Sequence, residues 1–333
     1  MAKRRIIPLF IPHVGCPNVC VFCDQVKISG ADTPVTSEMV DQLIEKNLPA
    51  AGQGCEVAFY GGSFTAMRQE VQRELLAAVQ PYLKSGAVDS IRLSTRPDAV
   101  NDGICRMLKE FGVITVELGC QSMDDRVLQL SRRGHKAQDT IRAVACLKRY
   151  GFSVILQMMT GLPGDTGRQS LETAEQIISL QPDGVRIYPT VVLRGTALEE
   201  MMRGGRYRPQ TVEEAVGLCA ALYERFLAEN IPVIRVGLNP TEELSQGEAV
   251  AGAYHPALGE LVLSELYLQR ARTLLQKEPL EREAVFVVHP KRVSIMVGQK
   301  RRNIGTLRKE FGLKSIKVRP EAQELWGIFL KKT

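Results

Sequence analysis

The stretch RIIPLFIPHVGCPNVCVFC, residues 5–23, places three cysteines within eight positions directly after an apolar, β-branched run. The run at 5–11 predicts a β-strand, so Cys16, Cys20 and Cys23 lie on the loop that follows it. The other five cysteines stand singly in apolar or helical stretches, which is typical of reduced thiols in the cytoplasm. A cluster of thiols in such a chain more often binds a metal than forms disulfides.

Strand and helix patterns alternate along most of the chain. Six predicted strands are each followed by a loop rich in glycine, proline or polar residues; they span 5–11, 55–60, 90–94, 113–118, 152–159 and 184–189. A further run at 232–238 is a candidate seventh strand. Repeated strand–helix units require a parallel sheet, and in barrels the chemistry lies on loops after the strands. We therefore predict an α/β fold, a partial (βα)6 TIM-type barrel.

A polar, charged stretch at 275–284 predicts a boundary between a barrel domain at 1–275 and a small α+β domain at 284–333. Residues 290–333 carry 12 lysines and arginines against three glutamates, whereas the whole chain has a net charge of +6. The basic character therefore belongs to the carboxy-terminal part, which could contact nucleic acid. The alternative is a solvated basic face.

Membrane association is not predicted. No run approaches the roughly 18–20 apolar residues that a membrane-spanning helix needs. The basic and apolar start superficially resembles a signal peptide, but Pro8 and Pro12 interrupt its apolar run. We expect a cytoplasmic protein.

The spacing of the clustered cysteines, C-x3-C-x2-C, restricts what they can bind. A structural zinc site needs four ligands, usually as two separated pairs, and no second C-x2-C is present. His13 is the alternative fourth ligand for zinc. Three thiolates suit a [4Fe–4S] cluster, which then keeps one iron available to a small molecule.

This spacing, with Phe22 before the last cysteine on the loop after the first strand, resembles the radical S-adenosylmethionine superfamily. The resemblance implies that the cofactor's methionine chelates the available iron. It also implies that an electron from the cluster then releases a 5′-deoxyadenosyl radical. An external electron donor is required. The motif YGGSF at 60–64 is similar to the superfamily's second-strand glycine motif, so Gly61, Gly62 and Ser63 are expected to receive the methionine amino group.

A closer resemblance extends over residues 5–240. Six motifs occur in order: STRPD (94–98), VELGCQS (116–122), RRGH (132–135), GFSVILQMMTGLPG (151–164), PDGVRIYPTVVLRGT (182–196) and GRYRPQTVEE (205–214). They are similar to the radical domain of the Elongator catalytic subunit family, which modifies the wobble uridine of tRNA. About 90 residues follow position 240, too few for that family's acetyltransferase domain. The resemblance therefore implies the radical machinery but not the substrate.

Carried over position by position, Thr95 or Arg96 and Gln121 would line the cofactor site. Arg133 would pair with the methionine carboxylate, for which a guanidinium fork is geometrically suited. The alternative for Arg133 is a surface charge. For Gln157 two readings stay open, a cofactor contact or one inward-facing barrel residue among several. Glu117 could reach the same mouth or serve as a structural partner of a neighbouring arginine.

The carboxy-terminal pattern predicts a strand at 284–288, a short helix near 290–297, the loop GQKR at 298–301, a helix at 302–311 and a second strand. It is similar to a KH domain, whose GXXG loop clamps single-stranded nucleic acid. Arg301 stands where the second glycine is expected. The resemblance implies an RNA-binding rim, formed by Lys291, Gly298, Lys300, Arg301 and Arg302. The alternative is a basic cap that only packs on the barrel.

Together these features predict a radical S-adenosylmethionine enzyme that modifies RNA, either tRNA or rRNA. One alternative is a small-molecule oxidoreductase of the oxygen-independent coproporphyrinogen oxidase type, which would not need a basic tail. The other is a non-catalytic RNA-binding assembly factor with a structural cluster. Oligomeric state and electron donor do not follow from the sequence.

Overall fold

The computed structural model describes residues 5–11, 16, 20–24, 27–28, 35–48, 54–241, 244–278 and 283–331. Contacts divide the chain into two compact units. The first comprises Met1–Thr211 and Phe226–Tyr254, and the second comprises Val212–Arg225 and His255–Thr333.

The first unit is built on a seven-stranded sheet in the order β1-β2-β3-β4-β5-β6-β8, with every neighbouring pair parallel. The strands are β1 (Arg5–Phe10), β2 (Cys55–Tyr60), β3 (Ser90–Thr95), β4 (Val113–Gln121), β5 (Ser153–Thr160), β6 (Gly184–Pro189) and β8 (Val233–Val236). The sheet is curled into a half-barrel. The predicted α/β partial barrel is confirmed, and β8 is the candidate seventh strand.

Helices connect the parallel strands. They are α1 (Ser37–Asn47), α2 (Gln69–Lys84), α3 (Asp102–Glu110), α4 (Asp125–Leu130), α5 (Ala137–Arg149), α6 (Gly167–Ser179) and α7 (Ala197–Arg203), with α8 (Val212–Ala228) before β8. Polar side chains cap the start of several: the Thr36 hydroxyl accepts from the Met39 amide, and the side-chain Oδ1 of Asn101 accepts from the Ile104 amide. Because such helices cover a parallel sheet, its strands read as nearly continuous apolar runs.

A short two-stranded ribbon lies beyond the main sheet in the first unit. It pairs β7 (Val191–Leu193) with β9 (Ala249–Gly252) in antiparallel register. Val191 and Leu193 pack with Leu244, while partly buried Ile28 and Leu238 contact the same cluster. The ribbon thus joins the loop after β6 to the chain that follows β8.

The second unit has a three-stranded sheet in the order β11-β10-β12. It contains β10 (Glu283–Val288), β11 (Ser315–Pro320) and β12 (Ile328–Lys331), with α9 (Leu258–Lys277), α10 (Val293–Val297) and α11 (Arg302–Phe311). β10 pairs parallel with β11 and antiparallel with β12. The predicted order of strand, two helices and strand is observed, and Gly312 ends α11 in a left-handed conformation.

The division between the units differs from the predicted boundary at 275–284. Helix α9 belongs to the second unit, because its Tyr267, Leu268 and Leu275 share an apolar core with Phe286 of β10 and Leu307 of α11. Residues that precede the polar stretch therefore supply much of the second core. Within the described part of the chain, every helix is too short or too polar to traverse a lipid bilayer.

Candidate cofactor site

A cavity of about 620 Å³ opens at the carboxyl ends of the strands of the first unit. This volume lies in the usual range of ligand pockets. All twelve residues predicted to bind the cluster or cofactor line it: Cys16, Cys20, Phe22, Cys23, Gly61, Gly62, Ser63, Thr95, Arg96, Gln121, Arg133 and Gln157. The structure therefore brings together residues that are spread over 142 positions of sequence, as the parallel sheet predicts.

The turn that carries the cysteines is held by its apolar residue. The Val21 amide donates to the Ser131 carbonyl at 3.1 Å, and the Val21 carbonyl accepts from the Leu198 amide at 2.8 Å. The Val21 side chain is buried against Leu198 and Tyr207. Cys20 and Cys23 flank this anchored turn, so the backbone fixes the positions from which their thiols project.

Cys20 is buried, whereas Cys16 and Cys23 are half-buried. Burial raises the pKa of the Cys16 thiol, and the nearby Arg133 cation opposes that rise. Within the described residues, no three His, Cys, Asp or Glu side chains converge on a single metal ion. Three thiols are the donor set of a [4Fe–4S] cluster that keeps one iron available to a small molecule. His13, the alternative zinc ligand, lies outside the described residues.

Arg133 is a cation that lies directly beside the thiols. It is only 9% exposed; its Nη1 lies 3.5 Å from Cys20 Sγ, and its Nη2 donates to the Gly119 carbonyl at 2.8 Å. Its Nε is buried and has no hydrogen-bond partner among the described residues. A buried cation with an unsatisfied donor favours an added anion. Negatively charged thiolates and a ligand carboxylate would both supply that charge, so this corner fits the predicted cofactor.

The end of β4 is shaped to let Arg133 approach. A register shift interrupts the β4–β5 pairing between Gly119 and Gln121, and Gln121 has a left-handed φ of 64°. A Cβ on Gly119 would lie 2.7 Å from Arg133 Nη2, so a side chain there would displace the guanidinium. Gln121 Oε1 is buried without a partner. Gly119 is a site residue that sequence reasoning missed, although its place at a strand end within VELGCQS was a usable signal.

Polar side chains fasten the loop after β2 to the loop after β3. The Ser63 and Thr95 hydroxyls lie 3.2 Å apart, and the Ser63 hydroxyl accepts from the Arg96 amide at 3.1 Å. These groups are therefore engaged in the scaffold. Gly61, with a φ of 93°, adopts a conformation that other residues rarely reach, so it presents bare backbone to the cavity.

Arg96 is almost completely buried and also acts within the scaffold. It forms a two-point ion pair with Asp98 at 2.6 and 3.0 Å and donates to the Arg133 carbonyl at 2.8 Å. Its remaining Nη1 has no hydrogen-bond partner in the part of the chain that the structure describes. Arg96 thus positions the Arg133 backbone and retains one donor for a ligand.

A buried carboxylate organises the floor of the cavity. Glu117 accepts from Tyr60, Arg92, Gln157 and Arg186, at 2.7–3.0 Å for the closest contact of each. Burial alone would raise the pKa of Glu117, but the ion pairs with Arg186 and Arg92 outweigh it and lower the pKa. Glu117 is therefore a structural partner of two arginines. Gln157 lines the cavity while its amide donates to Glu117.

The predicted RNA-binding residues lie in the second unit. Lys291, Lys300, Arg301 and Arg302 are exposed, and Gly298 is half-buried at the end of α10. Four of the five are on the loop and helix start between α10 and α11.

We expect Arg133→Lys to weaken S-adenosylmethionine binding by about tenfold or more. Lysine keeps the charge but loses the planar fork that matches a carboxylate. Affinity can be measured by equilibrium dialysis of the anaerobically reconstituted protein, with iron content as a check that the cluster is retained. Arg126→Lys, at an exposed position of α4, is the control. Unchanged affinity in R133K would restrict Arg133 to a scaffold role.

Comparison with known proteins agrees with this site. The model of the Radical SAM superfamily matches residues 10–177, and that of the Radical SAM C-terminal domain matches residues 182–268. An uncharacterized protein of Methanocaldococcus jannaschii is 30% identical over 238 residues, covering 67% of this chain and 72% of that protein. A tRNA uridine(34) acetyltransferase of Dehalococcoides mccartyi is 32% identical over 166 residues, covering 46% of this chain but only 36% of that enzyme.

Among solved structures, the archaeal Elp3 of Methanocaldococcus infernus is similar, with a TM-score of 0.59 and 25% identity. The match covers 85% of this chain and 66% of that one. The chain thus spans about a third of the D. mccartyi relative and just under two thirds of the Elp3 structure. The family match, together with a cavity that gathers three cysteines and an unsatisfied arginine, establishes that the chain belongs to the Radical SAM superfamily and is a radical SAM enzyme using a [4Fe–4S] cluster and S-adenosylmethionine.

Proposed function

We propose that this enzyme modifies RNA in the cytoplasm, with tRNA as its substrate. The cluster and S-adenosylmethionine supply a 5′-deoxyadenosyl radical when bound. The chain's own residues hold the thiolates, place Arg133 beside them and keep Glu117 charged below the cavity. The observation that carries the RNA proposal is the exposed basic loop of the second unit. The relatives named tRNA uridine(34) acetyltransferase support it.

The basic loop has an unusual backbone. Lys300 and Arg301 have φ values of 50° and 60°, and both side chains are exposed. Left-handed conformations cost roughly 1–2 kcal/mol for residues with a side chain. Such strain is often found where a loop meets a ligand. Helix α11 begins directly afterwards at Arg302, so this loop exposes three neighbouring cations together.

We further propose that the second unit binds RNA as a KH-like domain. Its β10-α10-α11-β11 order places the loop between two helices, where the nucleic-acid clamp of such domains lies. Lys291, in the turn before α10, would extend the positive rim. Phosphate contacts of this kind supply affinity that depends steeply on salt and carries no sequence information.

Replacing Lys300, Arg301 and Arg302 by alanine is expected to weaken tRNA binding and flatten its salt dependence. Each lost phosphate contact should reduce the slope of log affinity against log salt by about 0.7–0.9. Fluorescence anisotropy with a tRNA transcript at several salt concentrations measures both quantities. The control replaces three other exposed cations of the unit, Lys309, Lys314 and Arg319, by alanine.

Substituting these side chains is preferable to deleting the carboxy-terminal strands and helices. Those elements share an apolar core with residues of α9 such as Tyr267 and Leu275, which a deletion would expose. Equal losses in the two triple variants would mean that only net charge matters. If the wild-type protein binds no RNA, the small-molecule alternative gains support.

Turnover is tested by incubating reduced, reconstituted protein with S-adenosylmethionine and tRNA. Mass spectrometry of the digested nucleosides should then show a new modified nucleoside, and its absence would contradict the proposal.

A further inference from the structure

Two arginines stand side by side on the last strands of the half-barrel. Arg186 of β6 and Arg235 of β8 are partners in the strand register, and both line the cavity. Like charges directly opposite each other on neighbouring strands are destabilising. Placing a second cation here therefore has a cost, which calls for a compensating anion.

Arg186 has that anion. It makes a two-point ion pair with Glu117, through Nε at 2.7 Å and Nη2 at 2.9 Å. Glu117 is at the same time shared with Arg92 and is completely buried. The carboxylate of Glu117 is therefore already paired with Arg92 of β3 and Arg186 of β6.

Arg235 lacks an equivalent partner. Its Nε donates to the Gly237 carbonyl at 3.0 Å, and among the described residues no carboxylate lies within ion-pair distance of its guanidinium. Burial and the Arg186 charge both lower the pKa of Arg235, while Tyr188 opposes them. The two terminal nitrogens of the Arg235 guanidinium thus remain available to a ligand at the cavity wall.

Arg235 lies on a different strand from every predicted cofactor contact. β1, which leads into the cysteine loop, forms one edge of the seven-stranded sheet, and β8 forms the other. The predicted cofactor residues lie on the cysteine loop, on β2 to β5 or on the loops after them. Tyr188 of β6 and Asn239, which follows β8, line the cavity near the Arg235 strand. These three polar residues of the cavity therefore lie outside the predicted cofactor set.

We propose that Arg235 binds an anionic group of the substrate at the open edge of the half-barrel. The identification of that group as a phosphate next to the modified nucleotide rests on the proposed function. A guanidinium fork pairs with two oxygens of a phosphate or a carboxylate. Bound there, the anion neutralises the charge of Arg235, with which Glu117 does not pair. It also aligns the substrate with the cofactor side of the cavity.

The proposal is tested on the reconstituted, full-length protein with S-adenosylmethionine present. Ligand-observed NMR titrations compare uridine, uridine 5′-monophosphate and glutarate as probes. The wild-type protein is expected to bind the monophosphate about tenfold more tightly than uridine, the size of one charge-assisted contact. Arg235→Gln should remove this preference and leave the affinity for uridine unchanged. Arg106→Gln, at an exposed position of α3, should behave as wild type.

The outcomes separate the subsite from the proposed function. If the monophosphate has the same advantage over uridine in R235Q, or none in the wild type, the phosphate subsite is overturned, even where tRNA binding persists. If instead glutarate binds through Arg235 and neither uridine nor its monophosphate binds, the anion subsite stands and the RNA substrate is overturned. Loss of cluster in R235Q would show as reduced iron content, and Arg235→Lys then provides the second variant with the charge retained.

Discussion

Glu117→Gln is expected to lower the free energy of unfolding by roughly 3–5 kcal/mol, because it leaves the partly buried guanidinium of Arg186 without its carboxylate and that of Arg92 with Glu56 alone. Glutamine keeps the volume of the side chain, so the loss reports the charge and not a cavity. Urea unfolding followed by far-ultraviolet circular dichroism is the suitable measurement, since the single tryptophan, Trp326, lies in the second unit.

The effect of this substitution should depend on pH. The pKa of Glu117 is lower in the folded protein than in the unfolded chain, whose glutamates titrate near pH 4.3. Its stabilisation is therefore fully present above that pH and is lost as the pH falls through the folded value. The difference in the free energy of unfolding between wild type and E117Q should therefore become smaller as the pH falls. Glu172→Gln, which breaks an exposed ion pair with Arg168, should change the free energy of unfolding far less, because solvent screens that pair. An equally small loss in E117Q would contradict the organising role of Glu117.

Cys20→Ala should abolish formation of 5′-deoxyadenosine and most of the bound iron. Two thiolates remain in that variant, and a cubane held at only two corners is readily lost. Iron analysis and visible absorption of anaerobically reconstituted protein measure the cluster, and chromatography measures cleavage of S-adenosylmethionine. Cys55→Ala is the matched control, because it deletes an equally buried thiol from β2 outside the cavity.

Iron content in C20A equal to that of the wild type would contradict ligation by Cys20. Zinc in place of iron in the wild-type protein would contradict the cluster at this position. Because both variants remove a small buried side chain, similar thermal unfolding of the two would exclude misfolding as the cause of a difference in iron.

The main sheet was predictable because each strand is an apolar run followed by a turn-forming loop. The β7–β9 ribbon was not, since Val191–Leu193 follows β6 after a single residue and its partner lies over 50 positions away. Local pattern contains no information on that pairing. The units divide away from the polar stretch near 280 for a related reason: the sequence of α9 does not indicate which core it joins, and only its contacts with β10 and α11 assign it.

For the site, the strand-end rule explains why eleven of the twelve predicted residues share one cavity; Arg133 joins them from the connection between α4 and α5. The same rule does not predict which of these residues contact a ligand and which hold neighbouring strands and loops together. Ser63 and Thr95 bond to each other, and Gln157 bonds to Glu117, through contacts made across neighbouring strands. Arg235 was missed because VIRV reads only as a short strand. Its significance depends on the nearest carboxylate being occupied by Arg186, which no sequence pattern indicates.

The second unit is discontinuous in sequence, which has a consequence for the order of folding during synthesis. Tyr223 packs its ring 5.4 Å from that of Trp326, and Glu224 pairs with Arg270. On the ribosome, Tyr223 is made about 100 residues before Trp326, an interval of roughly 5–20 s at usual elongation rates. Throughout that interval the nascent helix α8 cannot bury this ring in its final place. The amino-terminal half-barrel can assemble first, and completion of the second core must wait for the last strands to be translated.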